Sequence, residues 1–263
     1  MREQLGYPRR GDAGAQPWAR PGGEETPHTL ELRAEIESEI PINGARLALE
    51  AGKGASLYLN GAAVPLDRDG WFVDRAIRTV PLPPIPAGTS ELRLVLPFGP
   101  KTVVEWMHLL GDFGVRVDGT RIVVTAPVRE LFFGDWAVQG LPFYGGNVTY
   151  HRTVKGDGRE LHLEVPRFRS PVITVDMDGT RVGRIALSPY RLSLGPLSPG
   201  SHRLNITAYG NRFNTFGALH NWNPHLVWQG GPDSYFTTGD HWRYTYHLRE
   251  TGILVPPRLL GVK

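Results

Sequence analysis

The chain has 263 residues, enough for a sizeable core and two domains, and its 40% hydrophobic and 21% charged residues are typical of a globular protein. Its net charge is only +3, and its arginines are scattered among acids without a basic block, which argues against nucleic-acid binding. No apolar run reaches the roughly 18 residues of a membrane span, and the lack of cysteine excludes disulfides and thiolate metal sites.

Residues 1–27 are polar and rich in proline and glycine, and we predict that they form a flexible lead-in. They lack the apolar stretch of a secretory signal, so the location stays open between the cytoplasm and export as part of a larger protein. At Leu30 a strict alternation of apolar and charged residues begins. This is the period of a half-buried β-strand.

Similar alternating runs follow along the whole chain. They lie at 45–50, 55–60, 92–97, 115–117, 121–125, 147–154, 160–165, 172–177, 203–209 and 241–248. Between them, Asn-Gly and Asp-Gly pairs such as Asn60-Gly61 and Asp178-Gly179 supply the positive φ that tight hairpins require. Many short strands without a long helical pattern predict an all-β fold.

Three segments of the first half of the chain recur in the second half. Leu47–Glu50 returns as Leu161–Glu164, Leu57–Gly61 as Val175–Gly179, and Pro84–Leu94 as Pro196–Ile206. So long a repeat indicates a duplicated domain rather than a solenoid, whose period is roughly 20–50 residues. We therefore predict two tandem jelly-roll β-sandwiches, at 28–126 and 127–263.

Several of these segments resemble parts of known hydrolases. Leu57–Gly61, Gly70–Asp74 and Pro84–Leu94 resemble the sugar-binding, galactose-binding-like jelly-roll domain of family 2-type glycoside hydrolases, although Ser90 stands where that pattern has asparagine. Three further segments resemble the C-terminal part of rhamnosidase-like and related hydrolases: Val104–Val115, Gln139–Tyr150 and Asn211–His220. The resemblance covers nearly everything from about residue 30 onward and implies sugar-binding sandwiches.

In those hydrolases a separate barrel usually carries the catalytic carboxylates, and the sandwiches flank it. This chain is too short to hold a barrel of roughly 250 residues beside two sandwiches. The resemblance therefore implies no catalytic pair for this chain. It implies instead a partner, either a catalytic barrel or a second copy of the chain.

Two loops combine aromatic rings with amides and histidines, which suits a sugar because its apolar face stacks on a ring and its hydroxyls need hydrogen-bond partners. The predicted ligand-binding residues are Trp136, Tyr144, Asn214, His220, Asn221, Trp222 and Trp228. The competing interpretation is that these rings are buried between the sandwiches. We interpret Trp71, Trp106 and Trp242 as core residues because they alternate with their neighbours.

If the chain is an enzyme, its best candidate carboxylates are Asp135 and Asp240, which sit in or near loops. Turn capping is a sufficient alternative role for Asp135. No cofactor or metal is expected. The segments Asp67–Gly70 and Asp176–Gly179 lack the glutamate and spacing of a calcium loop, so hairpin turns are favoured there over a structural calcium ion.

Three hypotheses for function follow. The first is a non-catalytic, carbohydrate-binding accessory module that binds an oligo- or polysaccharide. The second is a compact glycoside hydrolase with a carboxylate pair in a cleft between the sandwiches. The third is a structural module that packs on a catalytic barrel. Neither a nucleic acid nor a membrane is expected as a partner.

Overall fold

The computed structural model describes residues 3–7, 25–50, 53–102, 104–217, 220–222 and 239–261. The regular structure of these residues is almost entirely β-strand, which confirms the all-β fold class. The chain divides into two compact units, and the division falls between Pro127 and Val128. Among the helices of the described segments, none is long and apolar enough to cross a membrane.

The first unit contains ten strands in two sheets. They are β1 (His28–Ser38), β2 (Arg46–Leu49), β3 (Ser56–Leu59), β4 (Ala62–Val64), β5 (Gly70–Phe72), β6 (Asp74–Pro81), β7 (Gly88–Phe98), β8 (His108–Leu110), β9 (Gly114–Asp118) and β10 (Arg121–Thr125). One sheet has the order β4-β3-β7-β1-β10-β9 and the other β5-β6-β2-β8. Alternate apolar side chains of both sheets, among them Leu47, Leu57, Val80 and Leu94, form one buried core.

The described residues of the second unit form nine strands, a 3-10 turn at Ala137–Gln139 and one α-helical turn, α1 (Phe213–Phe216). The strands are β11 (Val148–Gly156), β12 (Glu160–Glu164), β13 (Phe168–Arg169), β14 (Ile173–Met177), β15 (Thr180–Ile185), β16 (Arg191–Pro196), β17 (Gly200–Ala208), β18 (Gly252–Ile253) and β19 (Arg258–Gly261). They form three sheets, with the orders β11-β17-β14-β15, β16-β12-β19 and β13-β18. Trp136, Leu163, Ile173 and Leu204 belong to its buried core.

The sequence repeat corresponds to a repeat of topology. The order β4-β3-β7-β1 in the first unit matches β15-β14-β17-β11 in the second, and β6-β2-β8 matches β16-β12-β19. The recurring segments contain most of β2 and β12, of β3 and β14, and of β7 and β17. The duplicated part is therefore a pair of sheets, and each unit adds strands of its own to it.

Even the hydrogen bonds of one turn are repeated. Asn60 and Asp178 both have a φ of 49° in the hairpins β3–β4 and β14–β15. A side-chain oxygen of Asn60 accepts from the Glu91 amide at 2.8 Å, and one of Asp178 accepts from the Arg203 amide at 2.7 Å. In both units the side chain thus ties the hairpin to the next strand of the sheet, which stabilises the left-handed conformation.

The two units differ most in one connection. Residues 99–107 join β7 to β8 in the first unit, whereas residues 209–257 join the equivalent strands β17 and β19 in the second. This longer connection contains the predicted strand at 241–248, which is not formed; an isolated bridge between Asn221 and Trp242 stands there instead. The interpretation of Trp71 and Trp106 as core residues is also wrong, because their side chains are 54% and 56% exposed.

Candidate functional site

Asn214 in α1 links two parts of the long connection of the second unit. Its side-chain amide donates to the Arg249 carbonyl and accepts from the Arg249 amide, both at 2.9 Å. The residue is buried, so these bonds satisfy groups that have no access to water. Asn214, a predicted ligand-binding residue, therefore has a structural role here.

His220, Asn221 and Trp222 run beside residues 241–243. The Trp222 amide donates to the His241 carbonyl at 2.8 Å, and the Arg243 amide donates to the His220 carbonyl at 2.9 Å. Asn221 is 2% exposed, whereas Trp222 keeps 44% of its surface exposed. This short pairing of two segments thus buries Asn221 and leaves Trp222 partly exposed to solvent.

Aromatic rings cluster along this pairing of segments, and we call Trp222, His247, His220, Trp242, Tyr244 and Tyr246 the aromatic patch. Trp222 and His247 are stacked, with ring centroids 4.7 Å apart and planes inclined by 19°. The His220 ring lies 4.5 Å from Tyr246 and 5.9 Å from Trp242, and Trp242 lies 4.2 Å from Tyr244. The aromatic patch thus consists of one stacked pair, Trp222 with His247, and a second group of rings around His220.

The tautomers of both patch histidines follow from their partners. His220 Nδ1 lies 2.8 Å from the Arg243 carbonyl oxygen, and His247 Nδ1 lies 3.2 Å from that of Asn221. A carbonyl only accepts, so each Nδ1 carries a proton and donates. In the neutral ring, Nε2 is then the hydrogen-bond acceptor that each histidine has to offer.

Tyr144 lies in the loop before β11, and this loop contacts the long connection. Its ring is 43% exposed and lies over Gly146, and its hydroxyl donates to the Asn147 carbonyl at 3.2 Å. Thr215 Oγ1 donates to the carbonyl of the neighbouring Phe143 at 2.7 Å, and the Phe143 ring lies 5.7 Å from Tyr246. The structure therefore brings two predicted loops together.

Trp136 is fully buried, with 0% of its surface exposed. Its Nε1 donates to the Tyr150 hydroxyl at 2.8 Å, and burial raises the pKa of Tyr150. Stacking on a sugar requires an open ring face, which this side chain does not have. We therefore place Trp136 in the core of the second unit.

The two candidate carboxylates lie in different surroundings. Asp135 Oδ1 accepts from the amides of Ala137 and Thr251, at 3.0 and 2.9 Å, which caps a turn and ties it to the segment before β18. Asp240 is exposed, and its carbonyl accepts from Arg243. No hydrogen bond or ion pair joins Asp135 to Asp240 in the described segments.

Trp228 lies outside the described residues. Among those that are described, no group of three or more histidine, aspartate or glutamate side chains is arranged to hold a metal ion. Sequence reasoning missed Tyr246 and His247 as site residues, because the alternation at 241–248 was interpreted as a strand.

No protein-family model and no curated protein matches the chain. Similar solved structures include a rhamnosidase from Novosphingobium sp. PP1Y, with 19% identity, a TM-score of 0.33 and coverage of 87% of this chain and 24% of that one. An α-L-rhamnosidase from Streptomyces avermitilis complexed with L-rhamnose has 16% identity, a TM-score of 0.30 and coverage of 92% and 25%. A GH2 β-galacturonidase from Eisenbergiella tayi has 28% identity, a TM-score of 0.27 and coverage of 46% and 21%.

These neighbours are glycoside hydrolases, and this chain spans only about a quarter of their length or less. TM-scores this low do not assign a function.

Proposed function

We propose that the chain is a carbohydrate-binding module whose second unit holds a glycan against the aromatic patch. The observation that carries the proposal is the geometry of Trp222, which is 44% exposed and stacked on His247. Isolated exposed aromatic rings are normal, but a supported, clustered set marks a recognition surface. A pyranose presents an apolar C–H face of matching flatness, and that face gains from leaving water.

Polar groups of the same segment suit the hydroxyls of such a ligand. Nε2 of His220 and of His247 accepts hydrogen bonds, and the exposed Tyr244 offers a hydroxyl. Tyr144 and the loop around it extend the surface from the side of Phe143. Flat rings beside a few oriented polar groups are the usual composition of a small-ligand site.

The hydrolase alternative has less support. A glycosidase needs an acid and a second carboxylate about 5–10 Å apart across the bond that is cleaved. The Asp135 carboxylate accepts from two backbone amides, which supports a structural role for it instead. We expect no turnover of aryl glycosides; turnover that is lost in Asp240→Asn while the fold persists would establish the hydrolase alternative.

A binding experiment on Trp222→Ala tests the proposal. Glycans that bind the unmodified chain are first found on an array, and their affinities are then measured by calorimetry. Loss of the stacked ring is expected to weaken binding by about 1–2 kcal/mol, or roughly five- to thirtyfold.

Phe132→Ala is the matched control, because Phe132 is an exposed ring of the same unit outside the aromatic patch. We expect it to bind as the unmodified chain does. Equal affinities of Trp222→Ala and the unmodified chain, or no glycan response of the intact chain, would contradict the proposal.

A further inference from the structure

A second surface with the properties of a binding site lies in the first unit. A cleft of about 330 Å³ opens at the β5-β6-β2-β8 sheet. Its lining consists of an exposed tryptophan, an ion pair, a hydroxyl, small residues and one aliphatic side chain: Trp71, Arg46, Asp69, Thr79, Gly44, Gly70, Gly111 and Leu110. None of these residues belongs to the aromatic patch.

Trp71 provides the flat wall of this cleft. It lies in the edge strand β5, where the pairing with β6 shifts register between Trp71 and Phe72. The next residue, Val73, has a φ of 65°, which is unusual for a β-branched side chain. At this irregular edge the indole stays 54% exposed, although the same strand packs on its neighbour.

The polar side of the cleft is an ordered ion pair. Asp69 Oδ1 accepts from Thr79 Oγ1 and Asp69 Oδ2 accepts from Arg46 Nε, both at 2.7 Å. These two bonds, that of Thr79 first, lower the pKa of Asp69, which favours the charged carboxylate beside the guanidinium.

The group left for a ligand is then a donor. The terminal nitrogens of Arg46 have no hydrogen-bond partner in the part of the chain that the structure describes. These nitrogens carry four N–H groups, and a pair of them matches the two oxygens of a carboxylate. The cleft thus combines a stacking face with a donor for an anion.

The duplicate in the second unit lacks this combination. Arg46 corresponds to Glu160, because each residue directly precedes the repeated segment of its strand. Thr79 corresponds to Ser193, because Thr79 pairs with Ala48 in the first unit and Ser193 pairs with the equivalent His162 in the second. Glu160 Oε1 bonds Ser193 Oγ at 2.9 Å. The equivalent position therefore presents an acid, so an anionic ligand is favoured only in the first unit.

We propose that the cleft of the first unit binds an acidic glycan, with a uronic acid ring on Trp71 and its carboxylate on Arg46. This site is separate from the aromatic patch and stands whether or not the patch binds sugar. A neutral hexose offers a hydroxymethyl group where a uronic acid has its carboxylate, so it forfeits the charge-assisted bonds. Specificity for the acidic form over the neutral form follows.

The test titrates the full chain with oligomers of galacturonic and of glucuronic acid, each beside its neutral galactose or glucose counterpart. We expect at least one acidic oligomer to bind more tightly than its neutral counterpart, and its affinity to fall as salt is added. Arg46→Met should weaken that binding by about ten- to hundredfold, and Trp71→Ala should also weaken it. Thermal melts verify that the variants are folded.

Two further variants make the result specific. Glu160→Met changes the matching position of the second unit, and Trp222→Ala removes the ring of the aromatic patch; both should keep acidic-glycan binding. Equal affinity for acidic and neutral oligomers, or no binding of any acidic oligomer, would overturn the proposal. So would full binding by a folded Arg46→Met. If Arg46→Met does not fold, Arg46→Lys is used instead. Lysine keeps the charge but cannot make the bidentate contact, so it should also weaken acidic-glycan binding, and full binding by folded Arg46→Lys would overturn the proposal.

Discussion

At the scale of single residues, the duplicated hairpin turn shows that equivalent positions have acquired different chemistry. Asn60 Nδ2 donates to Ser90 Oγ at 3.1 Å in the first unit. In the second unit, Asp178 Oδ2 and His202 Nδ1 are 2.6 Å apart at the equivalent place. One pair is neutral at every ordinary pH, whereas the other pair titrates.

The pH dependence of this second pair has a defined sign. The bond to Asp178, followed by that to the Ser198 carbonyl, raises the pKa of His202 above 6.5, while His202 and then the Arg203 amide lower the pKa of Asp178 below 3.8. The contribution of His202 to stability is complete below pH 6.5 and is lost as the pH rises through its raised pKa. That of Asp178 is present above 3.8 and is lost as the pH falls through its lowered pKa.

We therefore predict that the free energy of unfolding falls less between about pH 6 and about pH 9 in His202→Ser than in the unmodified chain. This substitution introduces the residue that the first unit has at the equivalent position, Ser90. The measurement is the free energy of unfolding by urea for both proteins at both pH values. Ser90→Ala is the control, and its difference from the unmodified chain should be the same at both values. An unchanged pH slope in His202→Ser would show that the pair is too exposed to matter.

At the scale of strands, β18 and β19 contain two glycines in contrasting surroundings. Gly252 in β18 has a φ of 108°, and a Cβ placed on it would lie 2.3 Å from Trp136 Nε1. Gly261 in β19 has nothing within 4 Å of the same position. The indole of Trp136, which donates to Tyr150, occupies the space that a side chain at position 252 would fill. We infer that this packing requires glycine at position 252.

Gly252→Ala is expected to destabilise the protein by about 2–4 kcal/mol, because unfavourable φ and overpacking act together. Gly261→Ala should stay within about 1 kcal/mol of the unmodified chain, since it has neither problem. Urea unfolding measures both. Similar stabilities of the two variants would mean that Trp136 can move away from β18.

The same scale shows what could be predicted from the sequence. The repeat located β2, β3 and β7 and their counterparts β12, β14 and β17, because period-two alternation and Asx-Gly turns are local signals. At 241–248 the alternation of Trp242, Tyr244 and Tyr246 imitated a strand, but those rings contact one another and His220 instead. Alternation alone does not show whether the segment pairs with a neighbouring strand.

The candidate site was predicted only in part for a related reason. A tryptophan in a polar loop and one in a core have the same side chain, and only burial separates Trp222 from Trp136. Trp71 was assigned to the core, yet it is exposed at the edge of its sheet. Arg46 lies in β2 and Asp69 directly precedes β5, so their ion pair can be predicted only once the pairing of both strands with β6 is known.

At the scale of the whole molecule, a duplicated sandwich acquired two different surfaces. In the second unit, the long connection between β17 and β19 adds the aromatic patch, which suits neutral hydroxyls and apolar faces. In the first unit, Arg46 and Trp71 supply the acidic-glycan cleft. If both surfaces bind glycans as we propose, two sites on one chain extend the range of glycans that it binds, and they raise avidity only where one glycan reaches both.

If the two sites are separate, short ligands should report on them independently. Trp222→Ala is expected to weaken binding of a neutral glycan found on the array and to leave a short acidic oligomer unaffected. Arg46→Met should do the reverse, and the double variant should lose both, with costs that add within about 0.5 kcal/mol because the residues share no partner. Calorimetry of all four proteins with both ligands measures this. If Trp222→Ala instead weakened binding of the acidic oligomer as strongly as Arg46→Met does, the two ligands would share one site or the two sites would be coupled, and the proposal of independent sites would be wrong.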